Sequence, residues 1–429
     1  MAAEPETKEQ TARLGETQTF LREMISLLQP DVRTRGPGRP QVLPSLCLWA
    51  GLLVCVLNGF SSQSALWRLI SLQGLWDYPR FAVTDQAVRN RLASAGEAMQ
   101  RLFAQITAVL VERLAPYAQP LAPWAASVVA LDCTTLDPVL RKLPVLREVP
   151  RGSDALLPGK LAGLFDLRLQ VWRKIAFTDE ARENEKVSAR AMVSELPRGS
   201  LVLADLGYFG FAWFDDLTAA GHHWISRQRK KTSVEVRHVF FESAHVTDAL
   251  VWLGKYRADQ ARYPVRLVRI RVGREEWEYL TNLLDPKLLP VAEIARLYAR
   301  RWDIEMAIKL VKRELGLHLL WSAKTEVILA QVWAVLCIAQ ILQALRQEVA
   351  GRAGVDAFDV SMSLLLSCWS GGLPGRSDSA VFRPRDQLVV HVDAESGLHR
   401  LEPHALGDAR WERDVVRPVE PCLLSVEAR

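Results

Sequence analysis

The sequence predicts an α/β fold in which a helical N-terminal region precedes a core of alternating strands and helices. Two observations support this prediction: residues 1–120 have a helical pattern, whereas short apolar strands alternate with helices from about residue 125. A third indicates an insertion, because strand-like segments with alternating β-branched and charged residues dominate between about 227 and 285. The helical pattern resumes at about Val291.

These changes of pattern predict four regions. They are a helical domain at 1–120, a core at 121–226 and 286–350, a β insertion at 227–285, and a C-terminal helix and tail at 351–429. No role is predicted for the tail, which is rich in Pro, Gly and charge. The N-terminal region contains a basic Pro/Gly-rich segment at 33–40, RTRGPGRP, which is an arm or a linker.

Helices are predicted at about 42–58, 62–73 and 84–95, the last with Thr84 as its N-cap. Arg89 and Arg91 in that helix leave two interpretations open, a DNA recognition helix or an ordinary helix with solvated arginines. The connection to the preceding helix is long for a helix-turn-helix motif.

The composition is that of a globular protein, with 49% hydrophobic and 24% charged residues among 429. A net charge of +5 permits a nucleic-acid partner. Residues 227–274 hold twelve Lys/Arg against four Asp/Glu, so they form either a phosphate-facing patch or a solvated surface. Six scattered cysteines without a Cys-x2-Cys pair favour reduced thiols over a disulfide framework or a zinc site.

Membrane insertion is not predicted. The N-terminus is acidic and polar, unlike a signal peptide, and the apolar stretch at 46–57 is too short to span a bilayer. The stretch at 327–345 is long enough, but three glutamines interrupt it, so a buried helix is expected. We therefore expect a cytoplasmic protein.

The most informative segment is LYARRWDIEMAIKLVK, at 297–312. Its polar line consists of Tyr298, Arg301, Glu305 and Lys312. At about 100° per residue these positions fall within roughly 60° of one another on a single helix. A neighbouring apolar stripe is expected to face a core, and it consists of Leu297, Ile304, Ile308, Val311 and Leu315. The remaining charges are expected to be solvated, and they are Arg300, Asp303, Arg313 and Glu314.

One acid beside cations and a hydroxyl suits metal-assisted phosphate chemistry, although a surface helix with paired charges explains the spacing equally well. The spacing Tyr-x2-Arg-x3-Glu-x6-Lys resembles the signature of bacterial insertion-sequence DDE transposases, which have a ribonuclease-H-like core. The resemblance implies that Glu305 is a metal-binding carboxylate. It also implies that Tyr298, Arg301 and Lys312 contact DNA near the cleaved end.

Two predicted core strands end in an acid, Asp132 in ALDCTTLD and Asp205 in ADLGYFG. Strand ends present ligand-binding groups in α/β sheets, although a lone Asp there is more often a cap or turn residue. With Glu305, these residues resemble the family's order of an acid on the first strand, the fourth strand and a late helix. Asp137 is a nearby competitor, but it precedes Pro138 and is expected in a turn.

The resemblance implies two Mg²⁺ ions, or Mn²⁺, with Asp132 bridging them and Asp205 and Glu305 each holding one. Trp277 lies where hairpin-forming family members carry a Trp that stacks on a flipped base, but a core Trp is an equally open interpretation. Arg227 resembles an Arg that such members hold near DNA, although Arg229, Lys230 and Lys231 crowd it.

The function implied is a DNA transposase that cleaves the ends of an insertion sequence and joins them to target DNA, by cut-and-paste through a hairpin. Its partners would be double-stranded DNA, namely terminal inverted repeats and target, and a second copy of the chain on that DNA. Two alternatives remain: a metal-dependent nuclease on the same core without strand transfer, and a non-catalytic DNA-binding protein derived from a transposon.

Overall fold

The N-terminal helices of this computed structural model coincide with the predicted ones. Residues described are 22–26, 42–60, 62–136, 160–178, 183–255, 260–272, 274–315, 317, 321–322, 324–362 and 365–366. The helices are α1 (Ser45–Leu57), α2 (Gln63–Arg68), α3 (Asp85–Leu92) and α4 (Gly96–Leu114). The predicted arm at 33–40, the tail from 371, and Asp137 lie outside the described residues.

The predicted N-cap of α3 is confirmed, because the Thr84 hydroxyl accepts a hydrogen bond from the Ala87 amide at 3.2 Å. Its two arginines are not both solvated, however. Arg91 turns inward and donates to the Leu43 carbonyl and, at 2.9 Å, to the Ser45 hydroxyl. This arginine therefore ties α3 to the start of α1, and a DNA-reading role for α3 stays a prediction.

The core sheet has five strands, which are β1 (Val128–Thr135), β2 (Lys160–Asp166), β3 (Val171–Thr178), β4 (Leu201–Ala204) and β5 (His223–Arg227). Strands β1, β2 and β3 are antiparallel neighbours, whereas β4 runs parallel to β1 and β5 parallel to β4. Helix α5 (Glu185–Val193) precedes β4, and α6 (Phe211–Ala219) joins β4 to β5. This is a mixed α/β core, as the sequence predicts.

The insertion consists of β6 (Val234–Glu242), β7 (Val246–Leu253), β8 (Val265–Val272) and β9 (Glu275–Thr281). Because β9 pairs antiparallel with β5, the insertion extends the core sheet into nine strands in the order β3-β2-β1-β4-β5-β9-β8-β7-β6. Inside it, the fully buried Arg266 binds Asp248 with two hydrogen bonds of 2.7 Å. The predicted basic patch is therefore partly internal, and Arg266 is not available to phosphate.

Three helices follow the insertion: α7 (Val291–Ala299), α8 (Trp302–Lys309) and α9 (Thr325–Ala353). Within the described part of the chain, α9 alone is long and apolar enough to cross a membrane, yet 94% of its most apolar window is buried inside the protein. It packs against α1, α4 and β3, so that the N-terminal helices and the core sheet share one hydrophobic core. The prediction of a buried helix at 327–345 is confirmed.

The prediction of one regular helix over 297–312 is wrong. The chain tightens after α7, where the Arg301 amide donates to the Tyr298 carbonyl three residues back, and α8 then ends in a π-helical turn at Leu310–Glu314. The expected solvation of Asp303 is also wrong. Its buried carboxylate pairs with Arg300 at 2.9 Å and accepts from Gln170 at 2.7 Å, which ties the break to the core sheet.

Candidate active site

Asp132 and Asp205 lie beside each other on neighbouring parallel strands. The register pairs Leu131 of β1 with Ala204 of β4, so the next residue on each chain is one of the two acids. Asp205 directly follows its strand as predicted, whereas β1 continues to Thr135 and carries Asp132 within it, opposite Gly163 of β2. Asp132 therefore still pairs with β2 on one side, but it lies just beyond the last residue of β1 that pairs with β4 on the other side.

Both carboxylates are oriented by a backbone amide. One oxygen of Asp132 accepts from the Cys133 amide at 2.7 Å, and one oxygen of Asp205 accepts from the Gly207 amide at 2.7 Å. Gly207 leaves room at that turn, because a β-carbon there would lie 3.0 Å from both Asp205 Oδ1 and Glu185 Oε2. Glu185 is therefore a fourth carboxylate at this turn, and no motif in the sequence indicated it, since it precedes Asp205 by a helix and a strand.

The helix break brings Tyr298, Arg301 and Glu305 together even though they do not share one regular helix. Arg301 Nη1 lies 2.5 Å from Glu305 Oε1, and the guanidinium lies over the Tyr298 ring at 5.8 Å from its centroid. The Tyr298 hydroxyl donates to the Ala204 carbonyl at 3.4 Å, one residue before Asp205. This contact joins the end of α7 to the end of β4, and it leaves Tyr298 only 7% exposed.

The electrostatics show that the three predicted acids share one environment. The pKa of Asp132 is raised to about 7, mainly by burial and also by the Asp205 and Glu305 carboxylates, against the Cys133 amide and the Arg301 guanidinium, which lower it. An acid whose charged form is destabilised by burial and by two like charges suits a site that receives a cation. The chain alone leaves this concentration of negative charge only partly balanced.

Lys312, at the end of the 297–312 segment, contacts β1, the strand that carries Asp132. Its ammonium donates to the Thr134 hydroxyl, two residues after Asp132. Lys312 and Asp132 both line a small, partly open pocket whose other walls are mainly apolar, among them Leu161 and Trp172. The threonine of the Asp-Cys-Thr segment therefore positions the lysine, a role that the sequence pattern did not specify.

Arg227 and Trp277 contact each other at the junction of core and insertion. The Arg227 guanidinium lies over the Trp277 indole, 5.0 Å from the ring centroid. Arg227 also pairs in register with Tyr279, whose ring packs edge-on against Tyr298 at 5.4 Å. Trp277 is half-buried and packs against the main core. This position is compatible with both interpretations of Trp277, a core residue and a ring that stacks on a flipped base. Its stacking on a base stays a prediction.

The donor set fits a hard divalent cation in type. Asp132, Asp205 and Glu305 offer only oxygen, the ligand that Mg²⁺ and Mn²⁺ prefer, and the raised pKa of Asp132 shows the repulsion that a cation would relieve. No three acidic, His or Cys side chains among the described residues are arranged as a ready-made metal site, and Glu305 instead pairs with Arg301.

Comparison with known proteins finds a matching family model. Residues 159–341 match the family model for the transposase DDE domain. That range contains Asp205, Glu305 and the Tyr–Arg–Lys positions, and it begins after Asp132.

Two curated relatives are transposases. The chain is 24% identical over 269 residues to "Transposase InsG for insertion sequence element IS4" of Escherichia coli (strain K12), covering 60% of this chain and 59% of that protein. It is 23% identical over 178 residues to "Putative transposase y4zB" of Sinorhizobium fredii (strain NBRC 101917 / NGR234), covering 40% of this chain and 49% of that protein. The matches thus span about half to three-fifths of each relative's length.

Among solved structures, the chain resembles a piggyBac transposase synaptic complex with hairpin DNA. The TM-score is 0.42 at 9% sequence identity, and the match covers 83% of this chain and 76% of that one.

Proposed function

Since this chain carries the DDE domain of insertion-sequence transposases, we propose that it is a DNA transposase that cuts the ends of its element and joins them to target DNA. The observation that carries the proposal is the electrostatic coupling between three acids that come from separate parts of the sequence. Asp132 and Asp205 follow paired residues of β1 and β4, and both Asp205 and Glu305 raise the pKa of Asp132.

In cleavage, a water oxygen forms a bond to a DNA phosphorus and the bond to the 3′ oxygen breaks, which leaves a 3′-hydroxyl. In joining, that hydroxyl attacks a target phosphorus and displaces the neighbouring 3′ oxygen. Asp132, Asp205 and Glu305 would hold two Mg²⁺ or Mn²⁺ ions. When bound, the metal activates the attacking oxygen and stabilises the leaving one.

The remaining predicted residues would hold the DNA. Arg301 is preorganised for a phosphate, because the rings of Tyr298 and Trp302 lie 5.8 and 5.4 Å from its guanidinium carbon. Its Nε–H has no hydrogen-bond partner among the described residues although it is buried, so a phosphate oxygen would satisfy it. Lys312, held by Thr134, would contact a second phosphate on the Asp132 side.

Arg227 and Trp277 would meet the DNA where the insertion joins the core. If a base stacks on Trp277, the Arg227 guanidinium that now lies over the ring has to move aside or stack on the opposite face. This pair supports a hairpin route for cut-and-paste. A dimer on paired element ends and a cytoplasmic location belong to the same proposal.

The test incubates the full chain with DNA carrying the element's own ends and Mg²⁺, and it resolves nicks, hairpins and joined strands. We expect Asp132→Asn, Asp205→Asn and Glu305→Gln each to reduce cutting by at least about a thousandfold, since each removes a metal ligand, while end binding in EDTA remains. Glu314→Gln is the matched control, because Glu314 is exposed in the turn that follows α8. Retained Mg²⁺-dependent cutting by any of the three variants would refute the site; cutting without any joined product would favour the nuclease.

A further inference from the structure

Two cations, Lys186 and Arg229, are fixed to the turn that follows Asp205. The Lys186 ammonium donates to the Gly207 carbonyl at 3.3 Å, and Arg229 Nη2 donates to the Leu206 carbonyl at 3.0 Å. They come from different parts of the chain, one from the first turn of α5 and one from the segment after β5. Because they bind adjacent peptide groups, two positive charges are held side by side next to the proposed second metal ligand.

Arg229 also packs against an aromatic ring. Its guanidinium lies over the Phe209 ring, 5.3 Å from the centroid, although the side chain as a whole is exposed. The carbonyl and the ring together fix the plane of the guanidinium and reduce the entropy lost on binding a ligand. An arginine oriented in this way suits a planar, two-point contact with phosphate.

Neither cation has a carboxylate partner among its described hydrogen bonds and ion pairs, which end on carbonyl oxygens. Burial and the neighbouring Arg229 lower the pKa of Lys186, against Glu185, which raises it. Glu185 Oε2 and Asp205 Oδ1 would each lie 3.0 Å from a β-carbon at Gly207, so both carboxylates reach the same turn. Two adjacent cations without an ion pair therefore form a site that an anion would stabilise.

We propose that Lys186 and Arg229 together bind a phosphate of the DNA backbone, beside Asp205 and apart from the Tyr298, Arg301 and Lys312 side of the site. This inference rests on the proposed function for the identity of the anion. It adds a phosphate contact on the far side of the acids from α8, so that the bound strand is held on both sides of the scissile position. The contact reads no base, since a phosphate oxygen carries no sequence information.

The test measures binding of the full chain to an unrelated 25-base-pair duplex by fluorescence anisotropy, in EDTA, over a range of salt concentrations. We expect the Lys186→Ala/Arg229→Ala variant to lose about two units of the slope of log Kd against log salt, and at least about tenfold in affinity at low salt. The charge-keeping variant Lys186→Arg/Arg229→Lys should retain the wild-type slope.

The matched control is Lys174→Ala/Arg296→Ala, which removes the same net charge. Lys174 already pairs with Glu195, and Arg296 pairs with Glu293 at 2.7 Å. We expect its slope to stay within half a unit of the wild type. An equal loss of slope in the control and in the Lys186/Arg229 variant would overturn the site, because net charge alone would explain both.

Two further arms make the outcome decisive. Inorganic phosphate at matched ionic strength should not displace the duplex; full displacement would assign the site to free phosphate and overturn the DNA contact. Because binding is measured without metal, it is independent of cutting. If the wild-type protein never cuts the element's ends but the Lys186/Arg229 variant shows the predicted loss of slope, the proposed function is refuted and this contact is retained. If the wild type cuts normally but the variant's slope is unchanged, only the contact is refuted.

Discussion

Replacing Asp132 with Asn should make the metal-free protein more stable while it abolishes cutting. The carboxylate is destabilised in its charged form by burial, and the Asp205 and Glu305 carboxylates repel it. An asparagine removes the charge, and its side-chain oxygen can still accept the hydrogen bond that the Cys133 amide donates at 2.7 Å. The substitution therefore deletes the unfavourable interaction and retains the favourable one.

The magnitude follows from the pKa, which rises from an ordinary value of 3.8 to about 7. At roughly 1.4 kcal/mol per unit, full ionisation of Asp132 costs the folded state at most about 4 kcal/mol, and partial exposure reduces this to about 2–4 kcal/mol. The sign is that of an acid whose folded pKa is raised. The cost is absent below pH 3.8, grows between pH 3.8 and about 7, and is complete above pH 7.

Urea unfolding in EDTA at pH 5 and pH 8 measures the effect. We expect the Asp132→Asn variant to gain about 2–4 kcal/mol over the wild type at pH 8 and clearly less at pH 5. Asp166→Asn is the opposite control, because Asp166 is buried but pairs with Arg173 at 2.8 Å and accepts two backbone amides, so it should lose stability. An Asp132→Asn protein less stable than the wild type at pH 8 would refute the reasoning.

Two other predictions concern the scaffold. Arg266→Met leaves the buried Asp248 carboxylate without its cation, so it should cost about 3–5 kcal/mol of unfolding free energy in urea titrations. The Arg266→Met/Asp248→Leu double variant should recover most of that loss. A double variant no more stable than the single one would contradict this prediction. Gly163→Ala would bring a β-carbon within 2.3 Å of the Trp172 ring, so it should cost about 1–3 kcal/mol and, since Gly163 pairs with Asp132 across the sheet, reduce cutting as well. Unchanged stability in Gly163→Ala would show that Trp172 is free to move.

Local patterns in the sequence predicted much of the fold. Apolar runs of strand length located β1 and β4, the alternation of β-branched and charged residues located the insertion strands, and Thr84 marked the start of α3. They also predicted that α9 is a buried helix rather than a membrane span. Each of these features depends on neighbouring residues, and periodicity and capping are properties of such short stretches.

Where the local pattern failed, a long-range contact was responsible. The spacing of residues 297–312 predicted one helix with Asp303 in solvent. Instead, Gln170, which is distant in sequence, donates to the Asp303 carboxylate at 2.7 Å and stabilises the interruption between α7 and α8. Arg91 was expected either to face DNA or to be solvated, but it binds the Ser45 hydroxyl and the Leu43 carbonyl. A helical projection contains no information about partners on other elements, so it placed these charges on the outer surface.

By itself the sequence determined which side chains are available for the proposed chemistry: three acids in order, a Tyr–Arg–Lys line, and no competing cluster of soft metal ligands. Only the tertiary structure decided which groups meet. The pairing of Leu131 with Ala204 brings Asp132 beside Asp205, and the broken helix presents Arg301 to Glu305. It also brought Glu185, Lys186 and Arg229 to the turn after Asp205. Sheet register and helix packing join residues far apart along the chain, and the energy of those contacts exists only in the folded state.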